Sequence, residues 1–292
     1  MKKAIYISAC AAVLISCEVK DQGTDIDVSG HTIFRVDMEA VTFGDTQEKI
    51  WAEGDMIGVF GSEQGSNVGF YLKESSEGES VAEFYGPLVK GSSIRAYFPY
   101  EKDIETDVDG IPCALASVQE YSADATALTH FMKYSTRAFA VLDDSEVFHF
   151  MYPFGLLEVK IALDIPVIMS GASLQGSMPV SGMFEIDGAC MPVATDLSQM
   201  SIDLDFGGTT VSSGTESDAP AVLRFVLPPA SYKSGDLRLE IKVEDGQDFT
   251  VRLTDVDVER IDCSDFTVSS VVVGLSDIPG LEMEDGYFEK EQ

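Results

Sequence analysis

Leu237-Arg238-Leu239-Glu240-Ile241-Lys242-Val243 alternates apolar and charged residues without a break. Successive side chains of a β-strand point to opposite faces, so this stretch predicts a strand with one dry and one wet face. Asp245-Gly246 follows it, and glycine's tolerance of positive φ makes that pair a hairpin turn. Phe249 to Leu253 then alternates back. The same pattern recurs on either side. Leu157-Glu158-Val159-Lys160-Ile161 ends a strand-like stretch that begins at Val147. Ala221 to Leu227 is apolar and stops at Pro228-Pro229, and Phe266 to Val273 is the last strong strand. Towards the N-terminus, Ile57 to Phe60 follows the turn Glu53-Gly54-Asp55. Val81 to Tyr85 and Ser93 to Phe98 come next, the latter stopped by Pro99, and Phe139 to Leu142 runs into Asp143-Asp144. Helical periodicity with a cap at each end is missing, and Asp124 to Tyr134 is the best candidate for a short helix. The chain therefore reads as all-β. Short strands separated by turns every 8–12 residues or so predict β-sandwiches.

The first residues carry a different signal. Lys2 and Lys3 precede an apolar run from Ala4 to Ile15, interrupted only by Ser8 and Cys10. That arrangement predicts a secretory signal peptide over residues 1–16. The run is too short for a membrane-spanning helix, which takes about 20 apolar residues. Leu14-Ile15-Ser16-Cys17 resembles the bacterial lipobox, in which the cysteine becomes the lipidated first residue of the mature protein. Acyl chains on Cys17 would anchor the protein to the outer membrane, each buried methylene contributing about 0.8 kcal/mol. Glu18 to Gly30 is polar and reads as a flexible tether, so residues 17–30 form a lipidated linker. Its acidic start, Glu18 and Asp21, resembles the export signal that sends lipoproteins of the Bacteroides group to the cell surface.

The 292 residues allow one large or two ordinary domains, and two sandwiches suit that length. The boundary falls near Ile165-Pro166, after the strand that ends at Ile161 and before the Gly/Ser-rich stretch Ser170 to Ser177. The layout is then an N-terminal sandwich over residues 31–165, a C-terminal sandwich over 166–278 and a loose acidic tail over 279–292. Hydrophobic residues make up 45% of the chain, which excludes a wholly disordered one. A formal charge of −31 argues against nucleic acid as a partner, because the phosphates would be repelled. Of five cysteines, Cys10 leaves with the signal and Cys17 takes the lipid. Cys113, Cys190 and Cys263 remain, widely spaced and with no Cys/His cluster, which argues against zinc. They read as buried thiols, with one disulfide among them left open.

Several segments together resemble one family. Trp51-Ala52-Glu53-Gly54-Asp55-Met56-Ile57-Gly58-Val59-Phe60 resembles the Trp-x-x-Gly-Asp-x-Ile-Gly-Val-aromatic segment of fimbrillin-like proteins from Bacteroides-type bacteria. Ile94-Arg95-Ala96-Tyr97-Phe98-Pro99-Tyr100 is similar to that family's Tyr-aromatic-Pro-Tyr strand. Phe148-His149-Phe150-Met151 and Leu156-Leu157-Glu158-Val159-Lys160 are similar to its Phe-x-His strand and the strand after it. In the second half, Phe225-Val226-Leu227-Pro228 and the Asp245-Gly246 hairpin match. The resemblance covers roughly residues 31–275. It implies two β-sandwich domains of transthyretin-like topology and a place in a type V pilus. In shaft subunits of such pili an Arg-specific protease removes the N-terminal strand. A strand from another subunit then fills the groove, its alternate side chains occupying the apolar pockets. Arg35 is the only arginine ahead of the Trp51 segment and the candidate processing site. Thr32, Ile33, Phe34, Arg35 and Val36 form the candidate subunit-contact strand. The sequence departs from the shaft pattern in lacking an Ala-Thr-Arg-like segment before Trp51. Without processing the protein stays tethered through Cys17, as an anchor, a tip component or a surface lipoprotein outside the polymer.

No catalytic set emerges. His31, His130 and His149 are not in paired-ligand spacing. His149, between Phe148 and Phe150, reads as a hydrogen-bonded structural histidine. There is no G-x-S-x-G elbow and no phosphate-binding loop. Glu105-x-Asp107-x-Asp109-Gly110 imitates the start of a calcium loop, but Ala116 stands where the bidentate glutamate belongs, so it reads as a solvated loop. Neither a cofactor nor a metal is expected. Trp51, Tyr97, Tyr100, Tyr152 and Phe154 would make a sugar platform if exposed, but alternation puts most of them in the core. Three readings follow. The first is a fimbrillin-like lipoprotein whose partners are other pilus subunits, joined by β-strand addition, and a host or bacterial surface receptor. The second is a monomeric surface lipoprotein that binds glycan or protein. The third, an enzyme with paired carboxylates, has nothing in the sequence to recommend it.

Overall fold

The structure is a computed structural model. It describes residues 31–37, 51–61, 64–91, 93–104, 110–163, 167–213, 220–244, 248–261, 268–274, 281–284 and 287–290. The signal peptide, Cys17 and its tether, the acidic run at 105–109, Ile165-Pro166, Asp245-Gly246 and Cys263 lie outside the described residues.

The first half carries β1 (Thr32–Asp37), β2 (Met56–Gly61), β3 (Gln64–Leu72), β4 (Val81–Gly86), β5 (Ile94–Phe98), β6 (Ile111–Leu115), β7 (Val118–Glu120), α1 (Ala127–Tyr134), β8 (Ala138–Val141), β9 (Val147–His149) and β10 (Gly155–Ile161). The second half carries β11 (Ile168–Gly176), β12 (Gly182–Ile186), β13 (Pro192–Ala194), β14 (Ser201–Asp205), β15 (Val211–Ser212), β16 (Ala221–Leu227), β17 (Ala230–Tyr232), β18 (Leu237–Val243), β19 (Phe249–Arg252), β20 (Val256–Val258), β21 (Val268–Val273), β22 (Leu281–Glu284) and β23 (Tyr287–Lys290). Among the described residues the protein is all-β apart from α1 and one short 3-10 turn. Thr126 caps α1, its side chain accepting from the backbone N–H of Thr129 at 3.2 Å.

The first sheet runs β8-β5-β2-β3-β4-β1-β9. Its two edges meet: Phe139 bridges to Met151 and Leu142 to Phe148, so the sheet curls into a closed wall. Closure removes the exposed edges that invite aggregation. Inside lie Phe34, Val36, Ile57, Val59, Phe70, Phe84 and Phe148, each 5% exposed or less. Trp51 plugs the interior, fully buried, with Phe84 and Phe98 edge-on at 4.9 and 5.0 Å. Its indole N–H donates to the carbonyl of Ser80 at 3.1 Å.

The second large sheet runs β19-β18-β11-β14-β7. A three-stranded sheet, β16-β10-β21, stands between the two cores. Leu156 and Val226 belong to the first core, whereas Leu157, Val159, Ile161, Leu223, Phe225 and Leu227 belong to the second. Period-two alternation makes this strand pair a partition wall, with Leu156 facing the first core and Leu157 the second. The halves also exchange strands: β7 pairs in parallel with β14, and β6 pairs antiparallel with β12.

Two expectations are corrected. The stretch from Val147 to Ile161 is two strands in different sheets, β9 and β10, with Pro153 in the corner between them. The Gly/Ser-rich stretch from Ser170 lies within β11, a central strand that runs to Gly176. A register shift between Met169 and Gly171 hides its alternation, because one extra residue inverts the apolar phase. The 279–292 tail carries a hairpin, β22 against β23.

Candidate subunit-contact site

Strand β1 is threaded between two neighbours. It pairs antiparallel with β4 over Thr32–Asp37 and parallel with β9 over Arg35–Asp37. Alternation divides its side chains. Phe34, 5% exposed, packs between Phe70 at 5.3 Å and Phe148 at 5.0 Å, and Val36 is fully buried. Ile33 and Arg35 face outward, with Ile33 42% exposed. All five residues expected to make the contact, Thr32 to Val36, thus lie on one strand, and its buried half is Phe34 and Val36.

Arg35 lies opposite Glu83 on β4 and Val147 on β9. Its side chain lines a shallow depression with Ser76, Glu79, Val81 and Glu83. A protease takes its substrate as an extended, unpaired strand. The backbone at Arg35 has a strand on each side, so cleavage there requires β1 to leave its neighbours or never to have joined them.

The C-terminal end of β1 meets an ionisable group. The His149 ring lies between Asp37 and Asp143, with Nδ1 3.5 Å from Asp37 Oδ2 and Nε2 3.4 Å from Asp143 Oδ2. The hydroxyl of Ser145 and the N–H of Val147, both donating to Asp143, hold that carboxyl below the usual range. Asp37 Oδ1 is buried without a hydrogen-bond partner among the described residues. The sequence reading of His149 as a structural strand residue missed this carboxylate pair. Its partners come from other strands or turns, and spacing along the chain does not reveal them.

The other residues singled out are dispersed. Trp51, Tyr97, Tyr152 and Phe154 are buried, and only Tyr100 of that aromatic set is partly exposed. Cys113 and Cys190 carry free, buried thiols, which burial pushes up to about 12 and about 11. Among the described residues no group of three His, Cys, Asp or Glu side chains is placed to hold a metal ion. Strand β21 pairs in parallel with β10 of its own chain and buries Val273.

No protein-family model matches this sequence, and no curated protein matches it. Solved structures similar to the chain include a candidate cell adhesion protein from Bacteroides ovatus, 13% identical with a TM-score of 0.48, over 89% of this chain and 95% of that one. A candidate cell adhesion protein from Bacteroides uniformis is 13% identical with a TM-score of 0.44, over 85% and 96%. The tip fimbrial protein of Porphyromonas gingivalis, solved with a C-terminal truncation, is 11% identical with a TM-score of 0.40, over 76% and 81%.

Proposed function

We propose that this chain is a fimbrillin-like surface lipoprotein that joins a pilus, or its anchor or tip, by exchanging a strand with another subunit. The observation that supports the reading is the seat of β1. Strand β1 is paired on both sides within a closed sheet and seats two apolar side chains in the core, so its departure would open a long apolar groove. Phe70, Phe84 and Phe148 would line that groove, and an incoming strand with apolar residues at alternate positions would refill it. Lipid on Cys17 would hold the precursor at the outer membrane until exchange. The chain would then serve adhesion, as a structural, anchor or tip component.

The test is a gel of unboiled outer-membrane fractions probed for this protein, with mass spectrometry of the mature N-terminus. Detergent-resistant ladders with a new N-terminus at Val36 support a polymerising subunit cleaved after Arg35. Detergent-resistant species that keep the lipidated Cys17 support an anchor or tip. A monomer alone, in cells that carry assembled pili, overturns strand exchange.

A further inference from the structure

We propose that the outer face of the first sheet, at Tyr71 and Tyr85, is a carbohydrate-binding ledge that takes a neutral glycan chain. The inference does not rest on strand exchange, because the two tyrosines stand on β3 and β4 and remain whether β1 stays or leaves.

The ledge follows from register. Met56 on β2 is opposite Tyr71 on β3, Tyr71 is opposite Tyr85 on β4, and Tyr85 is opposite Ile33 on β1. Directly opposed residues share a face, so these four form one row across four strands. Their chain neighbours Ile57, Phe70, Phe84 and Phe34 are all buried, which puts the row on the solvent side. Tyr71 is 52% exposed. A large aromatic left that far in water, in line with a second one, is the kind of exposed apolar surface that marks recognition.

The two rings have a shape that suits a sugar. Their centroids are 6.0 Å apart and their planes are tilted by 34°, so neither ring stands edge-on to the other. The rings around Trp51, by contrast, pack edge-on to fill volume. A tyrosine ring left in water offers a negative π-face, and the partly positive C–H groups of a pyranose stack on such faces. The ledge has ends. His31 stands edge-on to Tyr85 at 6.1 Å, and the ring of Tyr100 and the methyl of Met56 crowd over Gly69, which has no side chain to keep them off. Both tyrosines sit on paired strands, so binding costs little side-chain entropy.

A polar row runs beside the aromatic one. Glu83 is two residues before Tyr85 on the same face, opposite Arg35, and Lys73 is two residues after Tyr71. Lys73 Nζ donates to Glu83 at 2.7 Å, and both side chains stay partly exposed. Donors and acceptors along one side of a stacking surface are what ring hydroxyls need, whereas the dry centre of a protein interface is depleted of charge. The net charge of −31 repels acidic polysaccharides, which leaves neutral glycans as the class.

The test uses the full-length chain in detergent against cellohexaose, laminarihexaose, mannohexaose and xylohexaose, read by calorimetry and by tyrosine difference absorbance. At least one should bind, with a tyrosine signal. Tyr71→Ala and Tyr85→Ala should each weaken it about tenfold or more, while Tyr71→Phe, which keeps the stacking face, should change it far less. Unchanged thermal melting of the alanine variants separates lost contact from lost fold. No binding to any of the four, or binding that both alanine variants retain, overturns the proposal.

Discussion

The side chain of Gln119 stands in for a peptide group beside Val226. Gln119 Nε2 donates to the carbonyl of Val226 at 2.8 Å, and Val226 N–H donates to Gln119 Oε1 at 2.9 Å. The two residues are 107 apart in sequence, and Gln119 is fully buried. The pair extends the ladder of the partition wall by one amide and ties β7 to β16. Gln119→Ala leaves a buried N–H and a buried C=O without partners. That costs about 1–3 kcal/mol for each unsatisfied group and adds a cavity, so the variant should lose roughly 3–4 kcal/mol in urea unfolding. Gln119→Glu should be comparably poor, since a carboxylate cannot donate to Val226. A loss under about 1 kcal/mol for the alanine variant would mean that water replaces the amide.

His130 depends on the same amide. Its Nε2 lies 3.2 Å from Gln119 Oε1, an oxygen that is accepting from Val226, so Nε2 must carry the proton. Burial first, then the charges of Arg224 and Lys133, lower its pKa from 6.5 to about 4. The unfolded chain therefore takes up a proton as pH falls through 6.5, and the folded one resists until about 4. Stability from this group is full above pH 6.5 and is lost on the way down to pH 4. Between pH 8 and pH 5 the linkage amounts to about 2 kcal/mol. The many carboxylates titrate too, so the measurement is a difference. Wild type should lose about 2 kcal/mol more over that range than His130→Gln, and equal losses would sink the assignment.

How much of this was legible depended on whether partners lie nearby in sequence. Ala221–Leu227 and Leu237–Val243 could be read to the residue, because each has a clean dry face. Strand β7 could not. Val118 is 53% exposed and Gln119 is buried, the reverse of what polarity suggests, because the partner of Gln119 comes from the other half of the chain. The contact strand came from the family resemblance, and the structure adds the alternation that buries Phe34 and Val36. The tyrosine ledge was not. Phe70-Tyr71-Leu72 and Phe84-Tyr85 are apolar on both faces, and only register shows which rings face water. His149 was read as a strand residue, but Asp37 reaches it from β1, far off in sequence, and Asp143 from the turn just before β9.

Gly58 is fixed by a neighbour that cannot move. A Cβ there would lie 2.0 Å from Tyr97 Cε1 and 2.7 Å from its hydroxyl. Tyr97 is fully buried, and its hydroxyl donates to the carbonyl of Glu101 at 2.9 Å while accepting from Asn67 at 2.8 Å. Burial pushes that phenol up to about 12, so it stays protonated and keeps donating. Gly58→Ala should cost about 3 kcal/mol through overpacking. Gly171→Ala is the matched control. Its Cβ would meet only the side chain of Lys242 at 3.6 Å, an ordinary contact, and it should stay within ~0.5 kcal/mol of wild type. Equal effects at the two sites would show that loss of glycine itself, and not the Tyr97 ring, sets the cost.

Glu158 and Arg224 are opposed on the first-core side of the partition wall, where alternation would otherwise place apolar residues. Arg224 Nε donates to Glu158 Oε1 at 2.8 Å, with side chains 16% and 14% exposed. The same guanidinium donates through Nη1 to the carbonyl of Ala125 at 2.8 Å, just before α1. Desolvating two charges largely offsets their attraction, so the pair contributes less to net stability than its distance suggests. Removing one partner is another matter, because it strands a charge. Glu158→Ala and Arg224→Ala should each lose about 3 kcal/mol or more, while Glu158→Leu with Arg224→Met should fall near wild type. The double variant should still show a defect in one respect. The Ala125 carbonyl loses its donor, so amide exchange should speed up at the start of α1 even where global unfolding is unchanged. If the double variant is as unstable as the singles, the pair is a true stabiliser and the carbonyl contact is secondary.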